Sequence, residues 1–160
     1  MNPRTKKPKK TGKNRAAGTP SASAWKGVWV LGDARSGAQL DVTLRLLKLA
    51  RRLASRRAQD LSLVLLGRHL NDPLETLLPA GPDRVYLVDH PRLQAYRQET
   101  YTGVLTHLVR RYRPETFLLP ANECGRELAP RVAARLGTGL CADCIRLEIE
   151  EETGLLVQTV

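Results

Sequence analysis

The sequence predicts an α/β fold, a three-layer sandwich built on a mostly parallel, doubly wound sheet and ending in a β-hairpin. Three observations predict it. Strand-like and helix-like segments alternate four times along the 160 residues. The strand-like segments are continuous apolar runs rather than alternating ones, as strands covered on both faces require. The first two of these runs are closed by a glycine. Right-handed crossovers then place helices on both faces of the sheet.

The elements follow in order. Val28-Trp29-Val30-Leu31 is an apolar run ending at Gly32 and reads as a buried strand. From Leu40 to about Arg57 the period is helical, with Val42, Leu46, Leu49 and Leu53 on one face and Arg45, Lys48, Arg52 and Arg56 on another. Leu61 to Leu66 repeats the strand signal and Gly67 closes it. Pro73 to Leu78 predicts a short helix, with Asp72 as N-cap and Pro73 in the first helical position. Arg84 to Val88 is a third strand. Glu99 to Tyr112 is helical, with Tyr101, Val104, Leu105, Leu108, Val109 and Tyr112 at 3–4 spacing. Pro114 ends it, and Glu115 to Leu119 is the fourth strand. Within 125–136 a helix carries Leu128, Ala129, Val132, Ala133 and Leu136 on one stripe and stops at Gly137. Pro130 fits only its first turn, or else kinks it. Ile145 to Ile149 and Leu155 to Thr159 are two strands joined by Glu150-Glu151-Glu152-Thr153-Gly154. This hairpin breaks the rhythm and is expected to reach toward another domain or chain.

Composition bounds the possibilities. The length suits one core, and 42% apolar content is ordinary for a globular chain. With two Trp, four Tyr and one Phe, the core is expected to rest on Leu, Val and Ala. The net charge of +10 is uneven. Residues 1–24 hold seven of the 26 basic residues (Arg4, Lys6, Lys7, Lys9, Lys10, Lys13, Arg15) and no acidic one, leaving 19 basic against 16 acidic residues beyond. Residues 1–24 read as a basic disordered tail and 25–160 as the folded domain. A nucleic-acid role for the tail is disfavoured, since no aromatic is interleaved with its lysines. The longest apolar stretch, Leu63 to Leu66, is far short of the roughly 20 residues a membrane helix needs. Three cysteines without an apolar signal segment predict a cytoplasmic protein.

Ligands of an open parallel sheet gather at the carboxyl ends of its strands. Two loops lie there, Gly32-Asp33-Ala34-Arg35-Ser36-Gly37 and Pro120-Ala121-Asn122-Glu123-Cys124-Gly125-Arg126. The first is neither GxGxxG nor a Walker loop and reads as a plain strand-to-helix turn. The second opens a helix, whose free N–H groups favour an anion. Arg126 either adds charge there or pairs with Glu123 or Glu127, and the repulsion those acids impose on a phosphate favours pairing. Cys141-Ala142-Asp143-Cys144 is a lone CxxC preceding a strand, without the second pair a metal site needs, and reads as two thiols. His69, His90 and His107 are scattered and form no catalytic pattern. Asp33, Asp72, Asp83 and Asp89 sit at element ends, where carboxylates cap and turn.

Several segments resemble the alpha subunit of electron transfer flavoproteins. They are Val28 to Gly37, Val64-Leu65-Leu66-Gly67-Arg68, Asp83 to Val88, and most specifically Gly125-Arg126-Glu127-Leu128-Ala129-Pro130-Arg131-Val132-Ala133-Ala134-Arg135-Leu136-Gly137-Thr138-Gly139-Leu140, running on through Ala142-Asp143-Cys144 to Leu156. The resemblance covers about residues 26–159. It implies an N-terminal domain of adenine nucleotide alpha hydrolase-like type that serves as scaffold and subunit interface. It also implies a heterodimer with a beta subunit, and an electron carrier rather than an enzyme, taking electrons from dehydrogenases through flavin. In that family a second, C-terminal alpha domain binds FAD, and the beta subunit holds AMP or a second FAD. Here Val160 stands where the family has an arginine leading into that domain, so this chain alone is expected to hold no redox FAD. Asn122 and Cys124 depart from the family's usual small or Thr-bearing loop. Gly125, Arg126 and Thr138 are the candidate cofactor-contacting positions. The competing expectation is a stand-alone adenine-nucleotide binder using the loops at 32–37 and 122–126.

Overall fold

The computed structural model describes residues 25–144, 146–150 and 156–160. The basic tail, residues 1–24, lies outside them, as do Ile145 and residues 151–155, which hold most of the expected hairpin turn. In chain order the elements are β1 (Val28–Gly32), α1 (Gly37–Arg56), β2 (Leu61–Gly67), α2 (Asn71–Leu77), β3 (Arg84–Asp89), α3 (Gln98–Tyr112), β4 (Thr116–Leu118), α4 (Glu123–Leu136), β5 (Arg146–Ile149) and β6 (Leu156–Thr159). Single 3₁₀ turns follow α2 at Leu78–Ala80 and β3 at Pro91–Leu93.

The predicted α/β class holds. β1 to β4 form one parallel sheet in the order β3-β2-β1-β4, and β5 pairs antiparallel with β6 in a separate hairpin. The chain steps outward from β1 to β3, then returns to the other side of β1. The strand order therefore switches between β1 and β4, where such sheets open a crevice at their carboxyl ends.

The apolar runs divide by the two-residue period of a strand. Val28, Val30, Leu61, Leu63 and Leu65 face one way, onto Leu47, Ala50 and Ala54 of α1 and Leu77 of α2. Trp29, Leu31, Val64 and Leu66 face the other, onto Tyr101, Leu105 and Val109 of α3 and Leu128 and Val132 of α4. Each fully buried Leu contributes about 1.5–3 kcal/mol relative to exposure. The first face is aliphatic, as composition predicts. The second is not: Trp29 lies 4.5 Å from Tyr86, ring centre to ring centre, and 5.9 Å from Phe117, while Tyr86 lies 4.6 Å from Tyr112. The few aromatics are concentrated on one side of the sheet.

Three expectations are corrected, and one that stood open, the place of Pro130, is decided. α1 starts at Gly37, capped by Ser36, whose hydroxyl accepts from the Gln39 N–H; Gly37-Ala38-Gln39 holds no large apolar residue to mark the start. Its core stripe is Thr43, Leu47, Ala50, Leu53 and Ala54, with Val42, Leu46 and Leu49 only half-buried, because the helix carries two adjacent apolar stripes and the sheet takes the one with small residues. Asp72 is not a cap: it lies in the first turn of α2, and Leu70 holds the N-cap position without a side-chain bond. Pro130 sits inside α4 rather than in its first turn, where its missing N–H withholds the usual donor from the Arg126 carbonyl. Gly137 ends that helix at φ +66°, and the following Thr138 N–H bonds to the Ala133 carbonyl at 3.1 Å.

Leu63→Ala, at a position with no solvent exposure, is expected to cost about 2–5 kcal/mol in urea unfolding. Leu140→Ala, at an exposed site, should stay within about 0.5 kcal/mol.

Candidate functional site

Two loops leave the sheet side by side at the switch point. Asp33 follows β1 directly, and Asn122 follows β4 as the N-cap of α4. Asp33 is 6% exposed, an unusual place for a carboxylate. Four hydrogen bonds hold it there. Its Oδ1 accepts from the Arg35 backbone N–H at 3.1 Å and from Arg35 Nε at 2.9 Å. Its Oδ2 accepts from Arg35 Nη2 at 2.6 Å and from Asn122 Nδ2 at 2.8 Å. Its own N–H donates to Thr43 Oγ1 at 3.0 Å, which ties the loop to α1.

Asn122 joins three elements. Its Nδ2 also donates to Gln39 Oε1 on α1 at 2.6 Å, and its Oδ1 accepts from the Gly125 N–H at 2.9 Å, capping α4. A Cβ on Gly125 would lie 1.8 Å from the Pro120 carbonyl oxygen, so only glycine permits this close approach. Around the network, the Arg35 guanidinium lies 5.2 Å over the Tyr96 ring, and the Tyr96 hydroxyl donates to Glu127 at 3.0 Å. The buried Tyr101 hydroxyl donates to the Leu93 carbonyl at 2.9 Å.

Burial by itself would raise the Asp33 pKa. The Arg35 hydrogen bonds and charge, with Asn122, outweigh it and hold the carboxyl below the usual aspartate value. Hydrogen bonding to Asp33 raises Arg35 further above its already high value. Burial pushes the Tyr96 and Cys124 groups up, so both stay protonated at neutral pH.

Several donors of this crevice are turned inward rather than presented to an adenylate or flavin diphosphate. The Asp33 carboxylate is bonded to the α4 N-cap residue Asn122, the Gly125 N–H is spent on Asn122, and Arg35 Nε and Nη2 are spent on Asp33. A phosphate using these donors would have to displace both side chains. Among the described residues no cluster of three or more His, Cys, Asp or Glu has metal-binding geometry.

The sequence candidates part company here. Gly125 is buried in the first turn of α4, with its N–H occupied. Arg126 is exposed and pairs at 3.0 Å with Asp143, rather than with Glu123 or Glu127. Thr138 is exposed beyond the far end of α4, about 20 Å away at 1.5 Å per residue. The structure brings Gly125 and Arg126 together and leaves Thr138 apart. Asp83 and Asp89, at the two ends of β3, bridge to distant backbone rather than closing local turns: Asp83 accepts from the Leu61 N–H at 2.7 Å and Asp89 from the Leu70 N–H at 3.1 Å. Sequence reasoning missed the Asp33–Arg35–Gln39–Asn122 network. Its signal was positional: Asp33 and Asn122 each follow a strand, and a chain that returns to the far side of β1 makes those strand ends neighbours.

The fold and site define a class: a doubly wound α/β domain whose switch-point crevice is lined by its own hydrogen-bonded side chains. The electron transfer flavoprotein domain family matches residues 28–160. The electron transfer flavoprotein subunit alpha of Thermoanaerobacterium thermosaccharolyticum is 40% identical over 135 residues, covering 84% of this chain and 41% of that protein. Protein FixB of Clostridium saccharobutylicum is 39% identical over 135 residues, covering 84% of this chain and 40% of that protein. Lactate dehydrogenase (NAD(+),ferredoxin) subunit LctC of Acetobacterium woodii is 37% identical over 134 residues, covering 84% and 32%. The chain belongs to the electron transfer flavoprotein family and corresponds to the N-terminal domain of its alpha subunit. It spans about two fifths or less of the length of these relatives. Among the described residues no helix is long and apolar enough to cross a membrane.

Two outcomes test this geometry. Because the folded Asp33 pKa lies below the unfolded value, its stabilisation is complete above roughly pH 4 and is lost as pH falls through the folded value. Asp33→Asn should therefore cost about 1–3 kcal/mol at neutral pH and flatten the acid side of the stability profile, read by urea unfolding at stepped pH. Gly125→Ala should destabilise by about 1–3 kcal/mol or more through overpacking against Pro120, read by thermal unfolding.

Proposed function

We propose that this chain is a scaffold and subunit-interface domain of an electron transfer flavoprotein. It pairs with a beta subunit and contributes to electron transfer by positioning. Dehydrogenases deliver the electrons through the whole complex, and FAD held elsewhere in it supplies the redox chemistry. The domain acts as part of a carrier rather than as a catalyst.

The observation that carries this reading is the closed crevice. A buried carboxylate held by four hydrogen bonds stands at the switch in strand order, the region where ligands of open parallel sheets gather. The alternative, a stand-alone adenine-nucleotide binder, is weakened because the Arg35 and Gly125 N–H groups and two Arg35 guanidinium nitrogens are already bonded to Asp33 and Asn122.

Surface chemistry supports the interface role. Val42, Leu46 and Leu49, the second apolar stripe of α1, line a shallow groove with Pro120 and Ala121. Leu87 on β3 and Val157 on β6 are also large apolar side chains left exposed. An apolar stripe beside the crevice suits a protein partner better than solvent. In this reading Gly125 contributes by close packing. Arg45, exposed on the same groove, is the charge nearest that partner, while Arg126 is paired with Asp143 and Thr138 lies beyond the far end of α4.

Co-expression with a beta subunit and a C-terminal flavin domain is expected to yield a complex. Leu46→Glu and Leu49→Glu together should weaken it at least tenfold without unfolding the isolated chain. Purified alone, the chain should be colourless and give no calorimetric heat with AMP, ATP or FAD at millimolar ligand. A stoichiometric flavin band, or saturable AMP binding, would overturn the proposal.

A further inference from the structure

Cys141 and Cys144 are both half-buried free thiols in the turn between α4 and β5. Their sulfurs lie 2.9 Å apart, and Cys144 Sγ also lies 3.6 Å from the Cys141 carbonyl oxygen. The sulfur–sulfur separation is within about 1 Å of the bonded distance, roughly 2.05 Å. Asp143 between them adopts φ +51°, a left-handed turn that Asp tolerates better than most residues. Its carboxylate is tied to Arg126 on α4 at 3.0 Å. From the other side, Gln158 on β6 lies near Cys144 Sγ, at 3.9 Å. The turn is thus held from α4 and from the hairpin in the shape that brings the two sulfurs together. Cys124, the third cysteine, is buried in the core beside Tyr96.

We propose that Cys141 and Cys144 are a reversible thiol–disulfide site, closed by low-molecular-weight disulfides and reopened by low-molecular-weight thiols. One thiolate of the pair attacks a sulfur of the small disulfide, forming a mixed disulfide and releasing one small thiolate. The second protein thiolate attacks the protein sulfur of that mixed disulfide, forming the Cys141–Cys144 bond and releasing the other small thiolate. The two protons lost by the protein end on the two small thiols. Two electrons pass from the protein pair to the small disulfide. Burial, together with contact with Cys141, pushes the Cys144 thiol up to about 11. Either sulfur can make the first attack, since both stand at the same short separation. The closed form would lock the turn through which α4 hands the chain to the hairpin.

The layout of cleavage sites makes the test direct. Trypsin releases Cys141 and Cys144 on one peptide, residues 136–146, and Cys124 on another ending at Arg126. The full chain is treated with oxidised glutathione, alkylated after denaturation, digested and weighed. The expected result is loss of both alkylatable thiols from peptide 136–146, with a mass lower by two hydrogens, while Cys124 stays alkylatable. Reduced glutathione should restore both. Cys141→Ser and Cys144→Ser should each stop at one glutathione adduct per chain. The proposal is overturned if peptide 136–146 keeps two free thiols under excess oxidant. It is equally overturned if the wild-type chain halts at glutathione adducts, or if either cysteine bonds to Cys124 or to a second chain.

Discussion

A carboxylate taken out of water has to be answered by charge and hydrogen bonds, or it does not stay ionised. Asp33 is answered by Arg35, two residues further along the same loop, and by Asn122, which arrives 89 residues later in the loop that follows the neighbouring strand. That single acid therefore draws the end of β1, the start of α1 and the cap of α4 into one hydrogen-bonded knot. Because the knot sits where the strand order reverses, it also decides what the sheet's carboxyl edge is able to do. Donors bonded within the crevice tie its two loops to each other and to α1.

The sheet itself is built around β1, which is buried along its full length and paired on both sides. Its two faces are not equivalent. The α1 face is aliphatic and takes small helix residues such as Ala50 and Ala54 close to the strands. The α3–α4 face is broader and filled by rings. The asymmetry leaves α1 with more apolar surface than the sheet can cover, and the surplus lies beside the switch-point knot.

Much of this was legible in the sequence. The four apolar runs, their glycine or proline stops and the helical periods between them define the strand-helix alternation, and the parallel sheet follows from that. What was not legible has a physical reason in each case. The α1 stripe facing the core was confused with its neighbour because both are apolar, and only the closeness of the sheet selects Thr43, Leu47 and Ala50. The start of α1 at Gly37 depends on a hydroxyl cap, not on apolar period. Asp33 looked like an ordinary turn carboxylate because its partner Asn122 is distant in the chain. Gly125 and Arg126 were rightly placed at a helix start, but the use of that start by Asn122 is a matter of three-dimensional contact. Arg126 found Asp143 rather than its sequence neighbours for the same reason.

The clustering of rings on one face has an optical consequence. Trp29 is nearly fully buried and stands among Tyr86, Tyr112 and Phe117, which come from β3, α3 and β4. Its fluorescence therefore samples both outer strands of the sheet at once. Peeling away of the three-residue strand β4 would strip Phe117 from the indole and admit water, shifting emission to the red while the helices still register as folded by circular dichroism. The domain carries its own gauge of how firmly its shortest strand is seated.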